Sequence, residues 1–228
     1  MATDRGRERQ SGQELIEFAL TSLLLVVLFV GAFVTGMSLI RSIQVHQACR
    51  DMAGMYIHGA DFSTYAMQQL AQRLARGPNL QIGSSFSGNS ATNTSNSGNA
   101  LVTVSEIMYI GPTTSPTCAA VGASQCTNHD SYVFLQRILF GNGTLAAQHP
   151  SSLGNPTTSA ISSAGVVQNP ITDAGAKLSG AAQTSLGSLW LVPWQDGQVS
   201  YVVELYAQSP ELSMGSFTSA GAYARYFF

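Results

Sequence analysis

Between positions 18 and 40 the chain reads FALTSLLLVVLFVGAFVTGMSLI, without one charged residue. Twenty-three helical residues at about 1.5 Å each reach about 35 Å, enough to cross a hydrocarbon core of about 30 Å. A buried helix of a soluble core would carry a polar stripe, and a cleaved secretory signal has an apolar core of about 7–15 residues followed by a small-x-small site. The pattern therefore predicts a transmembrane helix. It continues without proline through residues 41–56, until Gly54 and Gly59 weaken it.

Beyond the span the periodicity changes. Asp61 is placed to cap a second helix over FSTYAMQQLAQRLAR, with Phe62, Ala66, Leu70 and Leu74 on one face and Gln68, Gln72, Arg73 and Arg76 elsewhere. It ends at Gly77-Pro78, and its apolar face is expected to pack on a sheet; the other reading is a helix that docks in a partner's groove. Four β-branched or aromatic runs with partial alternation follow, at 101–110, 132–140, 199–207 and 222–228, and predict a small antiparallel sheet. The polar run 82–99 holds too little apolar surface to pack and reads as a flexible loop. Residues 141–187 read as a Gly/Ser/Ala/Thr-rich insertion with a short helix near 174–186. The predicted class is α+β: a long N-terminal transmembrane helix, a second amphipathic helix, and a β-sheet head with long Gly/Ser/Asn-rich loops. The expected organisation is a leader at 1–12, the span and its extension at 13–60, and the head at 61–228.

Charge sharpens this outline. Only 10% of the 228 residues are charged, against about a quarter in ordinary soluble domains. Past Gly77 the basic residues are Arg137, Lys177 and Arg225 alone, so no basic stripe exists to neutralise phosphates and nucleic acid is not an expected partner. Arg5, Arg7 and Arg9 precede the span and Arg41 and Arg50 follow it, which favours a cytoplasmic N-terminus by a small margin. The long, charge-poor, Cys-containing part after the span reads as extracytoplasmic.

Of the three cysteines, Cys118 and Cys126 are spaced to close a small loop in an oxidising compartment; the alternative is two unpaired thiols. A zinc site would need two more ligands and only His129 is near, so no metal is expected. Cys49 reads as a small packing residue. His46, His58, His129 and His149 are scattered, and no GxSxG, HExxH, Walker or GxGxxG pattern is present. Neither catalysis nor a cofactor is expected.

The most informative residues lie just before the span, in RERQSGQELIEFALTSLLL. Gly12 is followed by four residues, then by Glu17 and Phe18, and the apolar run begins at once. This resembles the prepilin processing pattern, in which a membrane peptidase cuts after a glycine on the cytoplasmic side and leaves the helix attached. Gln13 would then be the first mature residue and Glu17 the fifth. An acidic side chain costs about 2.5–3.5 kcal/mol at mid-bilayer, so Glu17 would seek a cation. The new α-amino group of Gln13, in the same chain or a neighbouring subunit, is one, and such a pair would set register as helices bundle. The other reading is an interfacial glutamate among lipid headgroups. Within the span, Ala32 with Gly36 and Gly31 with Thr35 form small-xxx-small pairs that permit close helix approach.

Taken together, the basic leader, the GxxxxEF junction from Gly12 to Phe18, the single span, the post-membrane QACRDMAGMY, the second helix ending in Gly-Pro and the β-rich end resemble the TadE-like minor pseudopilins of tight-adherence (Flp-type) pilus systems. The resemblance implies a bitopic inner-membrane protein, processed by prepilin peptidase and needed for pilus assembly and surface adhesion. Its implied partners are other pilins or pseudopilins, the inner-membrane assembly platform, the peptidase and membrane lipid. The competing expectation is an unprocessed, membrane-tethered module that binds a ligand or carbohydrate through its sheet and polar loops.

Overall fold

The structure is a computed structural model that describes residues 5–77, 80–83, 86, 88–157, 161–189, 194–208 and 221–228. It comprises two units, Met1–Ile40 and Arg41–Phe228, each described here by itself. Helix α1 spans Arg5–Ile57 and contributes to both.

In the first unit α1 is the described helix long and apolar enough to cross a membrane, and none of its apolar window is buried. Three of its hydroxyls bond back inside the helix: Thr21 Oγ1 donates to the Glu17 carbonyl at 2.8 Å, Ser22 Oγ to Ala19 at 3.0 Å and Thr35 Oγ1 to Gly31 at 2.8 Å. Back-bonding of this kind removes the cost of carrying polar side chains through lipid.

The second unit is built on a five-stranded mixed sheet in the order β1-β3-β2-β4-β5, with β1 Thr92–Ser95, β2 Ala100–Ile110, β3 Ser131–Asn142, β4 Val199–Gln208 and β5 Gly221–Phe227. The four expected strands are present and pair antiparallel. The fifth, β1, lies in the run expected as loop and pairs parallel with β3, Thr92 opposite Leu139. Its sequence TNTS carries no apolar alternation. What orders it is tertiary: Asn93 is buried, and its Nδ2 donates to Gln68 Oε1 at 2.8 Å.

Alternation along the strands sends side chains to two faces. On one, Val102, Val104, Ile138, Phe140, Val203 and Leu205 share a core with Val45, Cys49, Met52 and Tyr56 from α1. Helix α2, Tyr65–Arg76, joins this layer by the side opposite to expectation. Gln68, Ala71, Gln72 and Ala75 are buried, Ala66 is exposed, and Leu70 and Leu74 stand 38% and 43% exposed; of the predicted face only Phe62, before the helix, is buried. The reason is the backbone of the neighbouring loop, whose carbonyls need donors once buried. Gln68 Nε2 donates to Phe62 O at 2.9 Å and to Ser90 O at 2.8 Å, while Gln72 Nε2 donates to Ile82 O at 3.1 Å and to Gly83 O. Ala71 and Ala75, buried on the same side, add no bulk that would hold the loop away.

The start of α2 also differs from expectation. Asp61 accepts from Ser63 N at 2.9 Å rather than capping the helix, whose N-cap is Thr64. Asn89 Oδ1, from the following loop, accepts from the first-turn amide of Tyr65 at 2.9 Å. At the other end Gly77 closes the helix, and Pro78 lies outside the described residues.

The far part of the other sheet face is covered by a second core in which Ile107, Phe134 and Val202 pack with Leu153, Val167, Leu178, Ala182 and Leu186. Residues 141–187, expected as an insertion, therefore supply a packed layer. Within them lie α4 (Gly143–Gln148), a 3-10 turn at Ala174–Ala176 and the start of α5 (Gly180–Leu189), where one short helix near 174–186 was expected. Helix α3 is Pro116–Val121, followed by a 3-10 turn at Ala123–Gln125.

Candidate functional site

Of the 1–12 leader, residues 1–4 lie outside the described residues and 5–12 are the first residues of α1. Gly12 and Gln13 are thus helical, with no turn between leader and span. Gln13, Glu17 and Phe18 are exposed, and the four-residue spacing puts Gln13 and Glu17 one turn apart on one helix face. Gly31, Ala32 and Thr35 are exposed and Gly36 partly so; a Cβ built on either glycine meets nothing within 4 Å. The small stripe is open to another helix rather than filled by the chain itself.

Cys118 and Cys126 form a disulfide across eight residues, with Cα atoms 5.2 Å apart. Ser115 Oγ caps α3 by accepting from Cys118 N, and Asp196 clamps the loop by accepting from Gly111 N at 2.7 Å and Thr117 N at 2.9 Å. Cys49 is a buried thiol whose Sγ donates to Val203 O at 3.3 Å, which agrees with a packing role. His129 Nδ1 lies 3.1 Å from Asp130 Oδ2 in an exposed turn, with Asp130 at φ 51°. Among the described residues no three His, Cys, Asp or Glu side chains converge on a common point.

A feature that the sequence reading passed over lies on the sheet face away from α1. Arg137 of β3 and Glu204 of β4 are 5% and 4% exposed, with Nη1 and Oε2 3.7 Å apart. The guanidinium is spread over fixed acceptors: Nη1 donates to Ser105 Oγ, Nη2 to Gly154 O at 2.8 Å, and Nε and Nη2 to Asn155 Oδ1 at 3.2 and 3.0 Å. Burial pulls the Arg137 guanidinium down to about 10, against the opposing pull of the Glu204 charge. Glu204 accepts from Tyr223 Oη at 2.6 Å on one oxygen and from Ser151 Oγ on the other. The Tyr223 phenol is pushed well above its ordinary value by burial and then by the carboxylate.

Beside this pair lies a cavity of about 530 Å³, floored by β2, β4 and β5 and roofed by Gln148–Ser152. Register divides its floor into two rows. Leu101, Tyr206 and Tyr223 stand side by side across three strands, and the next row is Thr103, Glu204 and Arg225. The roof is tied down by His149 stacked on Tyr206, ring centroids 3.8 Å apart, and by Arg225 Nη1 donating to Ser152 Oγ. One sequence signal did mark this place. In a chain this poor in charge, Arg137 and Glu204 each interrupt an apolar strand, YVFLQRILF and VSYVVELYA.

These features define an α+β protein that has, among the described residues, one helix able to cross a membrane, and a disulfide-closed head that carries a buried ion pair beside a cavity. Compared with family models, with curated proteins and with solved structures, the chain has no match in any of the three.

Proposed function

We propose that this chain is a membrane-anchored, pseudopilin-like protein that takes part in assembly of a tight-adherence (Flp, type IV-like) pilus and in surface adhesion, as a structural component rather than a catalyst. The observation that carries the reading is the placement of Glu17. It is an exposed carboxylate one turn after Gln13 on a continuous helix, immediately before an apolar window of which nothing is buried. Cleavage after Gly12 would put a cationic α-amino group within one turn of that carboxylate, or supply one to a neighbouring helix, where the pair would fix axial register. The open stripe of Gly31, Ala32, Thr35 and Gly36 supports lateral packing of such helices with other pilins. The Cys118–Cys126 disulfide supports a head in an oxidising compartment, hence an N-terminus on the cytoplasmic side of the inner membrane and residues 41–228 outside it.

The N-terminal residue of the membrane protein, determined by mass spectrometry in cells with and without their prepilin peptidase, tests the reading. A start at Gln13 that needs the peptidase is the expected result. Glu17→Ala should then leave cleavage intact and abolish pilus assembly. An uncut N-terminus in both strains would remove the processing argument and leave a single-span anchor whose function resides in the head.

A further inference from the structure

Within the head, helix α1 runs across the strands rather than along them. His46 meets Tyr226 of β5, ring centroids 6.1 Å apart; Cys49 Sγ donates to Val203 O of β4 at 3.3 Å; Tyr56 Oη donates to Gln136 Oε1 of β3 at 2.8 Å. Strands β5 and β3 are three positions apart in the sheet, about 14 Å, and the ten residues from His46 to Tyr56 rise about 15 Å. The helix therefore enters the head over β5. Followed back from His46, it reaches Ile40, the end of the uncharged run, after six residues, about 9 Å. The polar layer of one bilayer leaflet is about 5–8 Å deep.

The groups at this edge suit a lipid interface. Ile43 and Phe228 are 56% and 46% exposed, His46 is exposed, and the partly exposed Tyr226 stacks on Phe228 with centroids 6.3 Å apart. Rings with an apolar body and a polar tip, beside apolar side chains, collect at headgroup level. No carboxylate lies on α1 between Glu17 and Asp51, or on β5, whereas Arg50 is exposed on the same helix side as Ile43 and His46. Its side chain leans back toward the helix N-terminus, so lipid phosphates meet a cation with no carboxylate between.

The β5 backbone is open at the same edge. Phe228 exchanges both hydrogen bonds with Tyr201, so by alternation Tyr223, Arg225 and Phe227 direct their N–H and C=O groups away from β4. Among the described residues no strand pairs there. A bare edge invites another chain. A second copy would set one acid-free, arginine-bearing strand against another, whereas a hydrated headgroup layer supplies water and phosphate oxygens to the same groups.

We propose that β5 is the membrane-facing edge of the head: in the membrane-resident form Ile43, His46, Tyr226 and Phe228 lie in the headgroup layer of the bilayer that α1 crosses, with Arg50 reaching lipid phosphate. The proposal rests on the reading of residues 18–40 as a span and is independent of cleavage after Gly12.

The test is site-directed spin labelling of the full-length protein in nanodiscs of phosphatidylcholine and phosphatidylglycerol. Power saturation is read with oxygen, which concentrates in lipid, and with a water-soluble nickel chelate, which stays out of it. Single labels go on Phe228→Cys and His46→Cys at the edge, Phe29→Cys in the span and Leu70→Cys on the exposed side of α2, each variant keeping the parent's melting temperature. The parent, with Cys49 buried and the other two cysteines paired, is the blank. Both edge labels should lose most of the nickel collision seen at position 70 and gain oxygen collision, at depths between those of positions 70 and 29. Edge labels as open to nickel as position 70, with position 29 deep in lipid, overturn the proposal and leave the span standing. Edge labels shielded from both reagents also overturn it and assign the edge to a protein contact. A label at position 29 that is open to nickel removes the span, and the proposal with it.

Discussion

Arg137 and Glu204 meet across the intervening strand β2, 3.7 Å apart and both almost fully buried. Two charges taken out of water gain little net stability from each other, yet leaving one without its partner is costly. Arg137→Met or Glu204→Leu alone should therefore lower the unfolding free energy by about 3–5 kcal/mol, while the double variant recovers most of that loss. Urea unfolding of the detergent-solubilised protein, followed by circular dichroism, completes the double-mutant cycle. Losses that simply add would show that the two side chains are not coupled.

Helix α2 offers a ranking opposite to the usual one for hydrophobic and polar residues. Leu70→Ser and Leu74→Ser should each change stability by no more than about 0.5 kcal/mol, because both leucines already face solvent. Gln68→Leu and Gln72→Leu should each cost about 1–3 kcal/mol, because buried carbonyls at Phe62, Ser90, Ile82 and Gly83 lose their donors. Melting temperatures of the four variants decide it; a larger loss from the leucines would mean that α2 packs by its other face.

The three cysteines should separate cleanly by chemistry. Without reductant, denatured protein should titrate one thiol per chain, and three after reduction. In the native state Cys49 should resist iodoacetamide at pH 8, since burial, and then the Glu204 charge, push its thiol up to about 12. Because the folded value lies above the unfolded 9.0, this contribution is fully present below pH 9 and is lost between pH 9 and about 12. The slope from this one group is at most about 1.4 kcal/mol per pH unit, measurable as the pH dependence of the urea midpoint.

Glu106 is half-buried on β2, opposite Gln136 and Tyr201, and burial raises its carboxyl above the ordinary value. Its protonated form is favoured in the fold, so its charge opposes folding at neutral pH. Glu106→Gln should stabilise the protein by about 0.5 kcal/mol at pH 7 and by nothing once both forms are neutral near pH 3. Thermal melts of parent and variant at the two pH values test the sign.

Four of the strands were legible because each is a run of β-branched and aromatic residues long enough to announce itself. Helix α2 was legible as a helix but not in its orientation. Periodicity shows which side of a helix is apolar; it does not show that a loop rich in buried carbonyls will claim the glutamine side. β1 was not legible at all, since TNTS has neither apolar alternation nor β-branched continuity, and its order comes from Asn93 reaching Gln68. The cavity left only a trace, two charged residues inside apolar strands.

What the sequence determined by itself is whatever depends on local composition and period: an uncharged helix of membrane-crossing length, the Gly12–Glu17 junction at its start, four strands and a disulfide-ready pair of cysteines. These need no knowledge of distant residues, because hydrocarbon thickness, strand alternation and an eight-residue loop are all read along the chain. Which face of α2 is buried, where β1 adds, and how Arg137 meets Glu204 beside two rows of side chains were decided only by the tertiary structure. Each of those outcomes is set by which donor reaches which buried acceptor, and that depends on sheet register between segments far apart in sequence.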